Sequence, residues 1–180
     1  MLAIDPSIAL LLAIALAAIF AWSGTAKLRD IEMFEGVVAH YRLIPRAMEK
    51  SLARLVPLCE WACAGGLLFS STRTFAAVGL VLLLCLFTGA IAINLMRGRT
   101  NIDCGCFGPA LRQSLSVSLL LRNAVLIVLA ALVALPAGQR PFEWIDWVTI
   151  GFGAATVLVL YGSANYALAN VVRTPALEAL

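Results

Sequence analysis

The chain has 180 residues, of which 62% are hydrophobic and 13% are charged, with a formal net charge of +3 and a mean hydropathy of +0.97. Soluble domains are about 45 to 50% apolar and about 25% charged. This composition therefore excludes a soluble globular protein, gives no sign of a nucleic-acid partner and predicts an integral membrane protein whose main neighbour is the lipid bilayer.

The longest apolar runs come first in chain order. A transmembrane helix needs about 20 mostly apolar residues, and five segments meet that need. They cover about 6–26, 55–72, 74–96, 115–136 and 147–170. The second span carries one acid, Glu60, and the fourth carries one base, Arg122, near its start. We expect an all-α membrane protein, folded as a single transmembrane domain over residues 1–180.

Two longer connections lie on the same face of the membrane, namely loop 1 at about 27–54 and loop 3 at about 97–114. Within loop 1, apolar residues from Ile31 to Tyr41 recur at helical spacing between charged residues. This pattern predicts a short amphipathic helix lying in the membrane interface, which Pro45 would stop.

Loop 3 contains the sequence NIDCGCFGP, with Cys104 and Cys106 on either side of Gly105. A disulfide between residues i and i+2 closes a small, strained ring, and strain makes a disulfide easier to reduce. Glycine supplies the backbone freedom that such a ring needs, and flanking arginines, among them Arg122, favour the thiolate form. The pattern predicts a redox-active dithiol. The alternatives are two unpaired thiols in a tight turn, or half of a metal site completed by span 2 cysteines or His40.

A second pair of cysteines, Cys59 and Cys63, lies one helical turn apart in span 2, beneath the same face. It is a candidate relay dithiol, although cysteine is also at home in buried helix contacts. Cys85, near the middle of span 3, has no partner in sequence and is interpreted as a packing residue.

Glu60 lies between those two cysteines. An acid inside the hydrocarbon is costly and normally faces the bundle interior with a partner. One interpretation is a proton donor and acceptor for thiol exchange. The other is a structural ion pair with Lys27, Arg54 or Arg122.

Several motifs together resemble the MauE family of methylamine-utilisation membrane proteins, within the DoxX-like superfamily. They are WSGTAKL at 22–28, YRLIP at 41–45, PLCEWACAGGLL at 57–68, DCGCFG at 103–108 and LLLRNAVLIVLA at 119–130. The Ser-Gly-x-x-Lys element is common to the superfamily, whereas Cys-Gly-Cys-Phe-Gly is more specific. The resemblance implies a four-helix transmembrane bundle, to which span 5 is a C-terminal addition.

The resemblance also implies a role in maturing a disulfide-rich periplasmic client, such as the methylamine dehydrogenase small subunit, with a thioredoxin-like partner of the MauD type. We therefore expect a bacterial inner-membrane protein, possessing Cys104, Cys106, Cys59, Cys63 and Glu60 as site residues and no resident metal. A quinone is a candidate electron acceptor, but no residue pattern specifies one. The alternative is a non-catalytic anchor or chaperone for the partner, with structural cysteines.

The distribution of basic residues opposes a periplasmic thiol loop. All Lys and Arg residues except Arg73 and Arg140 fall on the loop 1 and loop 3 side or at the C-terminus. The positive-inside rule would make that side cytoplasmic, whereas disulfide formation in a periplasmic client needs the thiols outside. The expectation from the resemblance is a periplasmic loop.

Overall fold

The protein is described from a computed structural model, which covers residues 4–100, 102–105, 113–138 and 140–171. Over these residues the chain forms six α-helices and no strand beyond two isolated bridges. The helices are α1 (Pro6–Arg29), α2 (Ile31–Tyr41), α3 (Arg46–Leu67), α4 (Arg73–Met96), α5 (Val117–Ala134) and α6 (Trp144–Val171).

Within the described ranges, four helices, α1, α4, α5 and α6, are long and apolar enough to cross a membrane. The chain is therefore a multi-pass membrane protein, and these four helices correspond to the first, third, fourth and fifth predicted spans. The predicted second span, 55–72, corresponds to α3, which begins earlier, at Arg46, and ends earlier, at Leu67. The first half of α3 is charged, which is why it does not qualify by composition.

The early end of α3 has a local cause. The Thr72 hydroxyl donates to the carbonyl of Gly66 over 2.8 Å, and Arg73 Nε donates to the carbonyl of Leu67 over 3.2 Å. These bonds satisfy carbonyls that a helix end leaves without intrahelical donors. The chain therefore turns at 68–72, where a continued helix was predicted.

Helix α1 lies at the centre of the bundle and contacts α3, α5 and α6. Its inward face carries small residues such as Ala13 and Ala17, which lets neighbouring helices approach closely. A β-carbon added at Gly153 of α6 would clash with Leu11 Cδ1 of α1. Helix α6, the predicted addition, is therefore packed tightly against the central helix.

Helix α2 occupies the segment for which a short helix was predicted. Asp30 starts it by accepting a hydrogen bond from the Met33 amide over 3.1 Å. It ends at Tyr41, followed by Arg42 with φ +50°, so the helix stops before Pro45 is reached. Phe34 is buried and packs in a cluster with Ala53 and Val56 of α3. The location of α2 in the membrane interface stays a prediction.

A polar cluster joins α1 and α6 at the end of the bundle where both helices begin. Arg140 donates to the carboxylates of Asp5 and Asp146, and Ser7 donates to Asp146 over 3.1 Å. The hydrogen bonds from Arg140 and Ser7 hold the pKa of the Asp5 carboxyl well below its usual range. The start of α1 and the start of α6 are thus joined directly.

Candidate functional site

Cys104 lies in a short loop beside the first turns of α5. Its amide donates to the carbonyl of Gln113 over 2.8 Å, and the amide of Leu115 donates to the carbonyl of Ile102 over 3.0 Å. Cys104 is 7% exposed and belongs to a buried cluster with Ile102, Leu115, Leu119 and Ile91. Of the two cysteines of the predicted thiol site, Cys104 is therefore buried in the protein interior.

Gly105 has the backbone conformation that the sequence predicted for this position. Its φ is +72°, in the region that glycine adopts readily and other residues adopt at a cost. A β-carbon at Gly105 would also lie 3.0 Å from Val37 Cγ1 and 3.3 Å from Phe34 Cδ2 of α2. Both the backbone and the close approach of α2 therefore require glycine here.

The Arg122 guanidinium faces the sulfur of Cys104. Arg122 Nη2 lies 3.9 Å from Cys104 Sγ, and Nη1 donates to Gln113 Oε1 over 3.1 Å and to Asn165 Oδ1 over 2.9 Å. A cation beside a thiol favours the thiolate, which is the nucleophile in disulfide exchange. Of the arginines that flank the cysteines in sequence, Arg122 is thus placed to act on Cys104.

Glu60 forms a buried ion pair with Lys27, one of the three partners considered for it. The Lys27 Nζ to Glu60 Oε1 distance is 2.5 Å, and both side chains are 2% exposed. Ser23 accepts from Lys27 over 2.8 Å and lies 3.4 Å from Glu60 Oε1. The ammonium also lies 5.5 Å from the ring centroid of Phe34 and 5.2 Å from that of Phe87. The acid therefore has a structural role, and its part in proton transfer stays a prediction.

This geometry gives a physical account of the Ser-Gly-x-x-Lys element. Ser23 and Lys27 are one turn apart on α1 and both reach Glu60 on α3. Between them, a β-carbon on Gly24 would lie 2.8 Å from Trp61 Cδ1 and 3.1 Å from the carbonyl oxygen of Pro57. Glycine thus lets α1 and α3 approach closely enough for the ion pair to form.

A small cavity is lined both by the Lys27–Glu60 ion pair and by Arg122, the residue in contact with the Cys104 sulfur. Its volume is about 30 Å³, enough for one water molecule. The polar residues in its wall are Ser23, Lys27, Glu60, Arg122, Asn123 and Tyr161. The Lys27–Glu60 ion pair and Arg122 therefore line the same cavity.

Cys63 packs at a different level of the bundle from Cys104. A β-carbon at Gly79 of α4 would lie 2.9 Å from Cys63 Sγ, whereas Cys104 clusters with Ile91, twelve residues further along α4. At 1.5 Å per residue, these two positions are about 18 Å apart along the helix. Cys63 packs against the main apolar core, and the relay through Cys59 and Cys63 stays a prediction.

The two remaining cysteines are Cys85 and Cys106. Cys85 is exposed on α4, with a free thiol, so it is not the buried packing residue that the sequence suggested. Cys106 lies outside the described residues, so its pairing with Cys104 stays a prediction. Over the described part of the chain, no three His, Cys, Asp or Glu side chains are grouped to hold a metal.

Two residues of the thiol site were missed in the sequence. Gln113 and Asn165 both accept from Arg122, but they lie in loop 3 and near the end of α6. An available signal was that Asn165 is an amide within an apolar span, since polar groups in such spans usually have a partner.

The chain matches known proteins of one family. Residues 5–136 match the family model described as methylamine utilisation protein MauE. The chain is 40% identical over 164 residues to the methylamine utilization protein MauE of Paracoccus denitrificans, covering 90% of this chain and 88% of that protein. It is 39% identical over 152 residues to that of Paracoccus versutus, covering 83% and 81%, and 40% identical over 144 residues to that of Methylorubrum extorquens, covering 77% and 75%. No solved structure matches the chain.

Proposed function

Because the chain belongs to the MauE family of methylamine utilisation proteins, we propose that it is the membrane component of a thiol-disulfide exchange system. In this role Cys104 and Cys106 exchange a disulfide with a thioredoxin-like partner of the MauD type. The partner in turn serves a disulfide-rich periplasmic client such as the methylamine dehydrogenase small subunit. We place the protein in the bacterial inner membrane with the thiol loop on the periplasmic side.

The observation that supports this proposal is the contact between a partly buried arginine and a loop thiol. Arg122 lies on α5, where an unneeded cation would be costly to bury, and its Nη2 is 3.9 Å from Cys104 Sγ. A purely structural cysteine needs no cation beside it. A thiol that must become a thiolate during exchange is stabilised by one.

The exchange transfers two electrons and two protons. A thiolate of the partner attacks one sulfur of the Cys104–Cys106 disulfide, and the other sulfur leaves as a thiolate. The second thiol of the partner then loses its proton and attacks the mixed disulfide, so the partner ends with a disulfide and the chain with two thiols. A sulfur that faces Arg122 is the better leaving group, because the better-stabilised thiolate leaves faster.

Cys59, Cys63 and Glu60 have a separate place in the proposal. The positions on α4 that lie beside Cys63 and Cys104 are about 18 Å apart along the helix, so we propose that a relay through Cys59 and Cys63 uses an intermediate carrier, for which a membrane quinone is a candidate. For Glu60, the small cavity that it shares with Arg122 supports proton movement by way of a water molecule.

Replacing each cysteine by serine tests the proposal. Cys104→Ser and Cys106→Ser should abolish client disulfides, measured as the shift of the client on a gel after thiol-specific alkylation in cells. Cys85→Ser is the matched control, because this thiol is exposed on α4 away from the site, and it should leave client disulfides unchanged. Cys59→Ser and Cys63→Ser report on the relay in the same assay.

Normal client oxidation in both the Cys104 and Cys106 variants would overturn the exchange mechanism. That outcome is what the alternative predicts, in which the protein is a membrane anchor for the partner. The membrane side is tested by reacting intact cells with a membrane-impermeant thiol reagent, which should label the loop 3 cysteines in the Cys85→Ser background. Labelling only after cell lysis would place the loop in the cytoplasm.

A further inference from the structure

A buried amide near the end of α6 connects this helix to the thiol site. Asn165 is 2% exposed, and its Oδ1 accepts from Arg122 Nη1 over 2.9 Å. Its Nδ2 donates to the carbonyl of Tyr161 over 2.7 Å, which fixes the orientation of the amide. Asn165 lies beyond residue 136, the last residue matched by the family model.

Gln113, in loop 3, also binds the Arg122 guanidinium. Its Oε1 accepts from Arg122 Nη1 over 3.1 Å, and its Nε2 donates to the carbonyl of Asn165 over 2.8 Å. Its own carbonyl accepts from the amide of Cys104 over 2.8 Å. Gln113 therefore links the backbone of loop 3 at Cys104, the Arg122 guanidinium and α6.

These contacts determine where the second guanidinium nitrogen points. The guanidinium is planar and rigid, so two acceptors on Nη1 fix the direction of Nη2. That nitrogen lies 3.9 Å from Cys104 Sγ and 3.3 Å from Asn123 Oδ1. We propose that Asn165 and Gln113 are positioning residues that aim Arg122 at the Cys104 sulfur, so that α6 is a working part of the thiol site. This inference rests on the proposed function, because it concerns the reactivity of Cys104.

Apolar side chains make up most of the described cluster around Cys104, and Arg122 is a cation in contact with its sulfur. Helix α4 contributes Ile91 and Leu95 to the surrounding cluster, α2 contributes Tyr41, and α5 contributes Leu119 and Leu120. The neighbouring acid is Asp103 in the same loop. Arg99 donates to the carbonyl groups of His40 and Tyr41 and to Asn94.

The test measures how the reactivity of Cys104 depends on pH. In the full-length chain with the other four cysteines replaced by alanine or serine, the rate of alkylation of Cys104 by N-ethylmaleimide is followed from pH 5 to pH 10 in detergent micelles. Arg122→Met should lower the rate at neutral pH by about tenfold, the scale expected for loss of a nearby opposite charge. It should also move the midpoint of the profile to higher pH, and Arg122→Lys should restore part of the loss.

Asn165 is tested with two substitutions and a control. Asn165→Leu should move the profile in the same direction by a smaller amount, because the guanidinium stays but is no longer aimed. Asn165→Asp retains the size and the acceptor, and its carboxylate neutralises the guanidinium, so the shift should be larger than for Asn165→Leu. Ser163→Ala, an exposed position on the same helix, should leave the profile unchanged.

The shape of the profile separates positioning from mere loosening of α6. A looser helix would change the alkylation rate by one factor at every pH, whereas a displaced or neutralised cation moves the midpoint. Profiles of both Asn165 variants with the midpoint of the Ser163→Ala control would overturn the inference. If Cys104→Ser still abolishes client disulfides in that case, the proposed function stands and only the role of α6 fails.

Discussion

The buried ion pair between α1 and α3 can be tested by removing its partners singly and together. Lys27→Met removes the ammonium that faces the Glu60 carboxylate in the interior, and Glu60→Leu removes the carboxylate that faces the Lys27 ammonium. Both side chains are 2% exposed and their charged atoms are 2.5 Å apart, so either loss belongs to the class that costs about 3–5 kcal/mol. The double variant replaces the pair by apolar groups, and such replacements are often nearly neutral. Methionine also suits the space between Phe34 and Phe87, since sulfur packs well against aromatic rings.

We therefore expect each single variant to lose at least about 3 kcal/mol of unfolding free energy and the double variant to lose about 1 kcal/mol or less. The measurement is equilibrium unfolding in mixed micelles, followed by helical circular dichroism. Arg54→Met is the matched control, because Arg54 is an exposed cation on α3 and its loss should stay within about 0.5 kcal/mol. A double variant as unstable as the sum of the two singles would refute the assignment of an ion pair to these residues.

Two further predictions use the same unfolding measurement. Gly79→Ala should destabilise the protein by about 1–3 kcal/mol through overpacking, because its β-carbon would lie 2.9 Å from Cys63 Sγ; adding Cys63→Ala should recover most of that loss, and no recovery would place the strain elsewhere. At the other end of the bundle, hydrogen bonds from Arg140 hold the pKa of the Asp5 carboxyl well below its usual range. A depressed carboxyl pKa stabilises the fold at pH values above the unfolded pKa, and this contribution is lost as the pH falls through the folded pKa. Stability should thus fall below about pH 4 in the native chain and fall less steeply in Asp5→Asn; equal slopes would contradict this role.

Hydropathy predicted most of the fold, because four helices are apolar over their full span length. It placed the bounds of the second span less well, because the helix found there, α3, runs from Arg46 to Leu67 and is apolar only in its second half. Helix α3 begins at Arg46, after Pro45 in an extended conformation, and its charged first half is still helical because Arg, Glu and Lys are good helix formers. Its end at Leu67 depends on the bonds from Thr72 and Arg73, which hydropathy does not describe.

The candidate site was predicted where its residues are near one another in sequence, and missed where they are not. Cys104, Gly105 and Arg122 belong to one loop and the helix after it, so their spacing was informative. Asn165 is 43 residues from Arg122, and only the packing of α6 against α1 brings them together. The relay predicted from Cys59 and Cys63 assumed that Leu55 marks the membrane surface. Since α3 begins nine residues earlier, at Arg46, Cys63 lies four residues from the end of the helix and further from loop 3 than that assumption gave.

The structure also changes how the basic residues weigh on membrane orientation. The positive-inside rule counts cations that remain in loops near the membrane ends. Lys27 and Arg122 were counted on the thiol side, but Lys27 is bound to Glu60 in the interior and Arg122 is bound to Gln113 and Asn165. These contacts explain the position of each cation, whichever side of the membrane it lies on. The excess of basic residues therefore opposes a periplasmic thiol loop less strongly than the sequence count suggests, and the proposed placement is compatible with the cations that the fold itself requires.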